Sequence, residues 1–314
     1  ARWAQVLEQA GDPLVLVDAA LEAAIREELG RSGGRRQVRV LRIESPRLPT
    51  DRSSASHGGG AESLAYVLFT SGSTGVPKGV MIEQRGMVNH LWIKIAGLGL
   101  GPRDVVGQTA ALSFDISVWQ CLAALLVGGR VQVFEDATAF DANRLLLEAE
   151  RTGVTILETV PSLLQTVLDG ITVGGGGGPR PAALRWLVVT GEALRPDLCQ
   201  EWFGRFPSIP LLNAYGPTEC SDDVTHCALT RIDDPAALSV PIGRVLGNLR
   251  LHVLDRRLRP VPLSVAGELH VGGVGVGRGY QRNPRQTAAA FIAIALFTPC
   301  VERPAAFFAT LSRV

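Results

Sequence analysis

The stretch YVLFTSGSTGVPKGV, residues 66–80, joins an apolar, β-rich run to a loop of glycine and hydroxyl side chains that ends near Lys78. Glycine lets backbone N–H groups approach an anion closely, hydroxyl groups donate hydrogen bonds, and lysine neutralises negative charge. The order of residues does not follow the GxxxxGK[ST] pattern of a Walker-type loop. The stretch predicts a phosphate-binding loop of another kind. On composition alone, a solvent-exposed turn between a strand and a helix is the alternative.

Strand and helix patterns alternate on both sides of this loop. DPLVLVD (12–18), VTILETV (154–160) and LRWLVVT (184–190) are typical of strands, and each is followed or preceded by a helical pattern. Such alternation favours an α/β fold of stacked, mostly parallel sheets covered by helices, in αβαβα layers, over residues 1–237. Short strands and turn residues then predict a small β-rich, barrel-like subdomain over residues 238–280.

Composition and charge exclude several classes of protein. The 31 basic and 30 acidic residues give a net charge of +1, which provides no basic surface for nucleic acid or an anionic membrane. The five cysteines are odd in number and lack metal-ligand spacing, which indicates a reducing, cytoplasmic compartment. No signal segment opens the chain, and its apolar stretches are too short to span a bilayer.

Three further motifs follow the glycine loop in a fixed order: FDISVWQ (114–120), NAYGPTE (213–219) and GELHVGGVGVGRGY (267–280). Together the four motifs resemble those of the adenylate-forming, AMP-binding superfamily, over about nine-tenths of the chain. The residues of the second and third motifs are most similar to those of the amino-acid adenylation domains of nonribosomal peptide synthetases.

The resemblance implies an AMP-forming ligase that uses ATP and Mg²⁺. The carboxylate of an amino acid attacks the α-phosphate of ATP, pyrophosphate leaves, and the aminoacyl-adenylate passes to the phosphopantetheine thiol of a carrier protein. The implied partners are this peptidyl carrier protein and a condensation domain of the same synthetase. The alternatives are an acyl- or aryl-CoA ligase of the same superfamily, or a catalytically dead nucleotide-binding fragment.

The resemblance also implies which residues bind the nucleotide. Lys78, Thr218 and Glu219 take the catalytic roles, with Glu219 as the Mg²⁺ ligand. Tyr215 is expected to stack on adenine, although a core position is the commoner role of a tyrosine. The ATP-binding residues are Thr70, Ser71, Gly72, Ser73, Thr74, Gly75, Lys78, Gly191, Glu192, Asn213, Ala214, Tyr215, Gly216 and Thr218.

A second set of residues is expected to bind the amino acid. These residues are Asp115, Ile116, Trp119, Glu158, Val188, Thr190, Ala214, Asp222 and Asp223. Asp115 is expected to bind the α-ammonium group, which an acyl-CoA ligase substrate lacks, so that a buried charge there would be unfavourable in such an enzyme. The alternative for Asp115 is a cap at the start of the helix that follows it.

Glu158, Asp222 and Asp223 add three carboxylates to this pocket. Buried carboxylates repel each other and resist desolvation unless a counter-charge arrives, which predicts a basic substrate side chain against Trp119 as an apolar wall or cation–π face. Two alternatives stay open. Adjacent residues of an extended segment point to opposite faces, which would send one of the two aspartates to solvent. Thr190 would alternatively bind an uncharged polar substrate.

The family's later motifs are not found in the sequence, including the hinge and the lysine-bearing C-terminal lid subdomain. The sequence therefore predicts a truncated adenylation core over residues 1–290, followed at 291–314 by a tail that does not resemble the family. We expect the activity of such a fragment to be impaired. A frameshift or truncation of the reading frame is the expected origin of the tail.

Overall fold

The computed structural model describes residues 2–11, 13–31, 39–43, 59–70, 76–173, 179–293 and 307–311. The helices are α1 (Arg2–Ala10), α2 (Ala19–Arg31), α3 (Gln84–Leu98), α4 (Ile116–Leu126), α5 (Asp136–Ala139), α6 (Ala142–Thr152), α7 (Pro161–Val173), α8 (Pro196–Arg205) and α9 (Pro284–Ala290), with a 3₁₀ turn at Thr218–Cys220. The strands are β1 (Leu14–Val17), β2 (Arg39–Arg42), β3 (Leu64–Thr70), β4 (Lys78–Glu83), β5 (Val105–Gln108), β6 (Arg130–Val133), β7 (Ile156–Thr159), β8 (Trp186–Val189), β9 (Leu211–Tyr215), β10 (Thr225–Leu229), β11 (Arg244–Val245), β12 (Leu249–Leu254), β13 (Glu268–Gly273), β14 (Gly279–Tyr280), β15 (Phe291–Ala293) and β16 (Phe307–Leu311).

A seven-stranded sheet forms the centre of the molecule, in the order β11-β10-β9-β8-β7-β5-β6. The five strands from β9 to β6 pair in parallel, and β10 and β11 add an antiparallel edge. Helices connect the parallel strands and cover the sheet, as the alternating sequence pattern predicts. The α/β fold class is confirmed.

The two faces of this sheet pack against different helices. On β7, Leu157 contributes to a core that includes residues of α6, α7 and α8, whereas Ile156 contributes to a core with α3 and α4. Because side chains alternate along a strand, Glu158 lies on the same face as Ile156. Val188 of β8, opposite Glu158 in the register, also belongs to the α3–α4 core. The Glu158 side chain, near the C-terminal end of β7, therefore faces helices α3 and α4.

Helix α3 is the longest helix of the described chain, at 15 residues. It ends at Gly99, which adopts a left-handed conformation with φ of +60° and donates its N–H back to the last turn. Glycine tolerates this conformation because it has no Cβ atom. Among the described helices, none combines the length and apolar character required to cross a membrane.

Two smaller antiparallel sheets complete the fold. The three-stranded sheet β14-β4-β3 carries the glycine loop between β3 and β4, and the four-stranded sheet has the order β12-β13-β16-β15. Val80 and Ile82 of β4, Val271 of β13 and Tyr280 of β14 share one core. This core attaches the glycine loop to the β-rich part of the chain.

The β-rich character of residues 238–280 is confirmed, but its strands join three different sheets. β11 extends the seven-stranded sheet, β14 pairs with β4, and β12 and β13 form a sheet with β15 and β16. The predicted boundaries at 238 and 290 therefore separate strands that the structure pairs. The reason is that the N–H and C=O groups of an edge strand are satisfied by whichever strand lies next to it in space. The assignment of domains stays a prediction.

Candidate functional site

The ends of the glycine loop are held together by the pairing of β3 with β4. Thr70, the last residue of β3, lies opposite Lys78, the first residue of β4. Lys78 is half-buried, and its Nζ lies 5.1 Å from the centroid of the Tyr280 ring. The predicted phosphate-binding residues Ser71, Gly72, Ser73, Thr74 and Gly75 lie outside the described residues.

Tyr280 connects the glycine loop to the predicted metal ligand. Its hydroxyl donates a hydrogen bond of 2.7 Å to Oε1 of Glu219. Burial, and then this hydrogen bond, raise the pKa of Tyr280, so the phenol stays protonated and acts as the donor. Sequence reasoning missed Tyr280 as a site residue. The available signal was its position as the last residue of the GELHVGGVGVGRGY motif.

The motif NAYGPTE (213–219), here called the nucleotide motif, begins at the end of β9. The side-chain amide of Asn213 donates to the carbonyl oxygen of Pro241 at 2.9 Å, and Tyr215 is half-buried. A Cβ atom at Gly216 would collide with the backbone of Asp222 and Asp223. Glycine is required here because the chain folds back onto itself directly after the strand. The nucleotide motif and the two aspartates are therefore in backbone contact.

The predicted turn beside the nucleotide follows β8. Gly191 has a φ of +84°, a conformation that favours glycine. The Glu192 carboxylate accepts hydrogen bonds from the backbone N–H and the hydroxyl of Ser162, at 3.0 and 2.9 Å. Glu192 thereby links this turn to the start of α7. The nucleotide-binding roles of both residues stay predictions.

Asp115 lies between the two predicted binding regions. Its carboxylate accepts a hydrogen bond of 3.0 Å from the backbone N–H of Ile116, at the start of α4. Burial raises the pKa of Asp115, and a hydrogen bond with Thr218 opposes the rise. The helix-cap alternative is therefore confirmed as a contact, while Thr218 places the same carboxylate beside the nucleotide motif. One side chain makes both contacts.

A group of buried ionisable side chains lies beneath α3 and α4. We call it the charged cluster, and its members are His90, Lys94, Glu158, Asp222 and Asp223. Each has a relative exposure of 5% or less, and Lys94 has none. Glu158 is buried because it lies on the face of β7 that α3 and α4 cover. Asp222 and Asp223 are buried because the chain folds back there against Gly216. The structure therefore brings three of the predicted substrate residues together.

Lys94 is the centre of this cluster, and sequence reasoning gave it no role. Its Nζ lies 2.6 Å from Oδ2 of Asp223 and 3.7 Å from Oε1 of Glu158. It also lies 4.4 Å from the ring centroid of Trp119. Burial opposes its charge, yet Asp223 and Glu158 raise the pKa of Lys94 above its ordinary value. The lysine is therefore a cation held inside the protein.

This arrangement bears on two sequence expectations. The argument that the substrate must supply the missing counter-charge left out Lys94, whose ammonium group already lies 2.6 Å from Asp223 and 3.7 Å from Glu158; the basic substrate stays a prediction. The alternative that Asp222 or Asp223 faces solvent is wrong, because their exposures are 5% and 2%. Ser221 and Asp222 have positive φ of 65° and 82°, so the segment is not extended and strand alternation does not apply.

The carboxylates of the cluster differ in charge. Burial opposes the ionisation of Asp223, but Lys94 and the neighbouring histidines hold its pKa well below the usual range. Burial and the Asp223 charge raise the pKa of Asp222 well above its ordinary value. Burial also raises the pKa of Glu158 to about 7, against the attraction of Lys94. These shifts favour an ionised Lys94 and Asp223 and the protonated form of Asp222, and Glu158 titrates near neutral pH.

Two histidines border Asp223. His226 Nε2 lies 2.8 Å and His90 Nε2 lies 3.6 Å from Asp223 Oδ2, and burial lowers the pKa of His90. Ligand atoms of His90, Asp222 and Asp223 lie within 4.8 Å of one another, a spacing compatible with a metal ion. Because Lys94 already supplies a positive charge at 2.6 Å, the geometry gives no reason to place a metal ion there.

Glu158 also forms part of the wall of a cavity of about 480 Å³. Ile116, Gln120 and Thr190 line the same cavity. Gln120 donates to Glu158 Oε2 at 3.1 Å, and Trp119 Nε1 donates to the same oxygen at 2.9 Å. Both hydrogen bonds fix the orientation of the carboxylate, and Gln120 is a further residue that sequence reasoning missed.

The remaining predicted pocket residues, Val188 and Ala214, are buried in the hydrophobic core between the sheet and helices α3 and α4. They lie on the same face of the sheet as the charged cluster. Their contact with a substrate stays a prediction.

Comparison with known proteins gives a consistent result. The family model described as AMP-binding enzyme matches residues 1–281. Phosphinothricin tripeptide synthetase PhsB of Streptomyces viridochromogenes is 38% identical over 242 residues, which cover 77% of this chain and 20% of that protein. A mycosubtilin synthase of Bacillus subtilis is 34% identical over 293 residues, or 91% of this chain and 11% of that protein. The chain thus spans a fifth or less of the length of these two relatives.

Solved structures agree with the sequence relatives. A crystal structure of the nonribosomal peptide synthetase FmoA3 matches with a TM-score of 0.84 and 27% identity, covering 99% of this chain and 31% of that chain. A form of the same protein bound to α-methyl-L-serine-AMP matches with a TM-score of 0.81 and 26% identity, covering 100% of this chain and 35% of that chain.

Proposed function

Because the chain belongs to the family of AMP-binding enzymes, we propose that it activates an amino acid with ATP to form an aminoacyl-adenylate. The carboxylate of the amino acid attacks the α-phosphate, the bond between the α- and β-phosphates breaks, and pyrophosphate leaves. The protein contributes by positioning the reactants and stabilising charge, since little covalent chemistry falls to its side chains.

The observation that carries this proposal is the position of Asp115. Its carboxylate is hydrogen-bonded at the start of α4 and also to Thr218 of the nucleotide motif. An α-ammonium group bound there would place the substrate carboxylate near the α-phosphate side of the nucleotide. A partly desolvated carboxylate is stabilised by such a cation, and an acyl or aryl acid offers none. This chemistry favours an amino acid over the substrates of a CoA ligase.

In this proposal two parts of the site bind the nucleotide: the glycine loop binds its phosphates, and the segment at the end of β9 binds its base. Lys78 and Thr70 lie opposite each other at the ends of the glycine loop, and in this proposal the loop binds the β- and γ-phosphates. Lys78 supplies the positive charge. Tyr215 stacks on adenine, supported by its half-buried position at the end of β9, and the Asn213–Gly216 segment together with the Gly191–Glu192 turn borders the base and the ribose.

The residues present fit a magnesium ion that accompanies ATP. Mg²⁺ prefers oxygen ligands and takes one or two protein carboxylates besides phosphates and waters. Glu219 offers such a carboxylate, and its orientation is fixed by the hydrogen bond from Tyr280. The bound ion would offset negative charge at the phosphates. Tyr280 holds the ligand in position while its ring lies beside the Lys78 ammonium group.

The product is proposed to pass to the phosphopantetheine thiol of a carrier protein. The support is the likeness to synthetases that build peptides, including phosphinothricin tripeptide synthetase and mycosubtilin synthase. A solved relative is an artificially fused di-domain of an adenylation domain and a PCP. A condensation domain would then use the loaded amino acid, and we place this chemistry in the cytoplasm.

The identity of the amino-acid side chain is less constrained. The carboxylates Glu158, Asp222 and Asp223 favour the predicted basic side chain, and Lys94 opposes it. The solved relative bound to α-methyl-L-serine-AMP is an example in which the activated amino acid is uncharged and polar.

The test is an exchange assay with the purified full-length protein. Radiolabelled pyrophosphate and ATP are incubated with proteinogenic and diamino acids, and in parallel with fatty and aryl acids. We expect slow incorporation of label into ATP with at least one amino acid, in keeping with the impaired activity expected from the sequence, and none with the other acids. Asp115→Asn, which keeps the shape and removes the charge, is expected to abolish the amino-acid-dependent exchange.

Two results would contradict the proposal. Exchange driven by fatty or aryl acids but by no amino acid would identify a CoA ligase. ATP binding without exchange for any acid would identify a nucleotide-binding protein without adenylating activity.

A further inference from the structure

Lys94 is a buried group that the proposed chemistry does not use. It is one of two lysines in the chain, and the other, Lys78, has a role at the phosphates. A fully buried ammonium group is unfavourable unless carboxylates compensate its charge, and here Asp223 and Glu158 do so at 2.6 and 3.7 Å. The position of Lys94 in α3 therefore depends on side chains of β7 and of the segment after the nucleotide motif.

The contacts of Lys94 fall on residues predicted to bind the substrate side chain. Asp223, Glu158 and Trp119 all belong to that set, and the ammonium group touches each of them. A basic substrate side chain would have used the same two carboxylates and the same indole ring. The Lys94 ammonium group thus occupies the position that a substrate cation would take.

We infer that Lys94 is a specificity-determining residue, a resident cation that excludes basic amino acids and selects a substrate with an uncharged side chain. The inference rests on the proposed function and names the substrate class of that same site. It follows from charge balance. Of the cluster members among the described residues, Glu158 lines the cavity, and a substrate cation that approached it would meet the Lys94 ammonium group 3.7 Å from the same carboxylate.

Like charges brought together in a desolvated site repel strongly, which makes them effective in rejecting a wrong partner. Asp222 lies farther from Lys94 and the histidines than Asp223 does, with its Oδ2 3.8 Å from His90 Nε2, and burial and the Asp223 charge raise the pKa of Asp222. Glu158 borders the cavity, and its Oε1 has no hydrogen-bond partner within the described chain. An uncharged side chain with a hydroxyl or amide donor would satisfy that oxygen.

The experiment compares the wild-type full-length protein with Lys94→Met, which has a similar length and no charge. The substrates are pairs matched in length: 2,4-diaminobutyrate with 2-aminobutyrate, ornithine with glutamine and norvaline, and lysine with norleucine. Amino-acid-dependent pyrophosphate exchange gives kcat/KM for each. We expect the wild type to prefer the uncharged member, and Lys94→Met to shift the ratio toward the basic member by about tenfold or more.

A matched control separates loss of the cation from general loosening of the pocket. Glu158→Gln keeps the Lys94–Asp223 ion pair and removes a pocket charge, so basic amino acids should stay excluded. If Lys94→Met folds poorly, the double variant Lys94→Met with Asp223→Asn removes both members of the pair. Glu158 then remains without its cation, and the shift toward basic substrates should persist. Equilibrium binding of ATP verifies folding of each variant.

The outcomes separate this inference from the proposed function. A wild-type protein that activates basic amino acids better than their uncharged counterparts would overturn the inference alone. An unchanged ratio in Lys94→Met, or an equal shift in Glu158→Gln, would also overturn it. A wild-type protein that binds ATP and exchanges pyrophosphate with no amino acid would overturn the proposed function, and the inference with it.

Discussion

The two lysines of the chain occupy opposite environments. Lys78 begins β4, is half-buried, and lies 5.1 Å from the ring centroid of Tyr280 at the end of a loop suited to an anion. Lys94 lies within α3, has no exposed surface, and is 2.6 Å from Asp223. The first lysine is available to a ligand, whereas the charge of the second is already neutralised by the protein. The same residue type is thus a proposed binding group at one site and a counter-ion at the other.

The comparison predicts different consequences when each charge is removed. A buried ion pair that loses one partner leaves an uncompensated charge in the interior, which strongly destabilises the folded state. A partly exposed lysine keeps water as an alternative partner, so its removal affects mainly the ligand. We therefore expect removal of the Lys94 charge to lower mainly the stability of the folded protein, and removal of the Lys78 charge to lower mainly the affinity for nucleotide.

The largest effect is expected for stability. Lys94→Met should lower the free energy of unfolding by about 3–5 kcal/mol, because Asp223 loses its cation. Lys78→Met should lower it by less than about 1 kcal/mol, the size of an exposed cation–π contact. Denaturant unfolding of both variants measures the difference. The double variant Lys94→Met with Asp223→Asn should recover part of the loss, and equal losses for the two lysines would contradict the comparison.

The next effect concerns pH. The pKa of Glu158 is raised from 4.5 to about 7 in the folded protein, chiefly by burial. Between these values the folded state holds a proton that the unfolded state has released, so this contribution to stability is complete below pH 4.5 and is lost as pH rises toward 7. Each pKa unit corresponds to about 1.4 kcal/mol, so a few kcal/mol is the upper limit.

Glu158→Gln is the control for this pH effect. The amide cannot titrate, so the stability of the variant relative to wild type should improve as pH rises from 5 to about 7 and then level off. Unfolding measured at four pH values across this window tests the slope. Lys94 and Asp223 face the same carboxylate, and both stay ionised in this range because their pKa values are shifted away from it. A difference between the proteins that does not vary with pH would show that Glu158 does not titrate in the window.

The third effect is on nucleotide binding. Lys78→Met should weaken ATP binding by about 1.5–3 kcal/mol, the value of a charge-assisted hydrogen bond to a phosphate. Lys94→Met should weaken ATP binding less than Lys78→Met does, because Lys94 is fully buried and pairs with Asp223. Calorimetric titration with a non-hydrolysable ATP analogue gives both values. Similar losses in the two variants would show that the sites are coupled.

The smallest effect is expected at Tyr280. Tyr280→Phe removes the hydrogen bond to Glu219 and keeps the ring beside Lys78. Loss of a group that orients a metal ligand should weaken the Mg²⁺ dependence of ATP binding by about tenfold. Tyr66→Phe, on strand β3 of the same sheet, is the matched control and should leave this Mg²⁺ dependence unchanged. A Mg²⁺ titration of nucleotide binding compares the two variants. An unaltered titration for Tyr280→Phe would indicate that Glu219 is not a ligand of the metal ion.

The parts of the fold that follow local rules were predictable from the sequence. The alternation of strand and helix patterns identifies the parallel sheet, because hydrophobic periodicity differs between the two elements. The glycine loop after β3 was identified from its residue types, whereas strand β4, which follows the loop and pairs with β3, was not predicted. Asp115 also follows a local rule, since the helix it precedes is recognisable and its contact with Ile116 is short in sequence.

Lys94 was missed because its partners are distant in the chain. The spacing of Leu91, Lys94, Ile95 and Leu98 places the lysine on the buried face of α3, which was the available signal. A lysine at such a position ordinarily extends its charged end to water, so periodicity alone does not predict an ion pair. Only the tertiary contact with Glu158 and Asp223 decides the outcome.

The turn at Asp222 was missed for a different reason. Its φ of 82° is uncommon for a residue other than glycine, and no local pattern announces it. The contact that enforces it is the close approach of Gly216, which is visible only in three dimensions. The extended-strand argument therefore failed because the backbone at Ser221 and Asp222 is not extended.

The backbone contact between Gly216 and Asp222 has a consequence for exchanging parts between related enzymes. Residues 213–223 form one short segment that carries the predicted nucleotide-binding residues at its start and two members of the charged cluster at its end. Transplanting this segment into a relative would carry the aspartates along but leave Lys94 behind in α3. The recipient protein would then contain the buried Asp223 carboxylate without the lysine that pairs with it. Chimeras that move α3 together with this segment should consequently retain more expression and activity than chimeras that move the segment by itself.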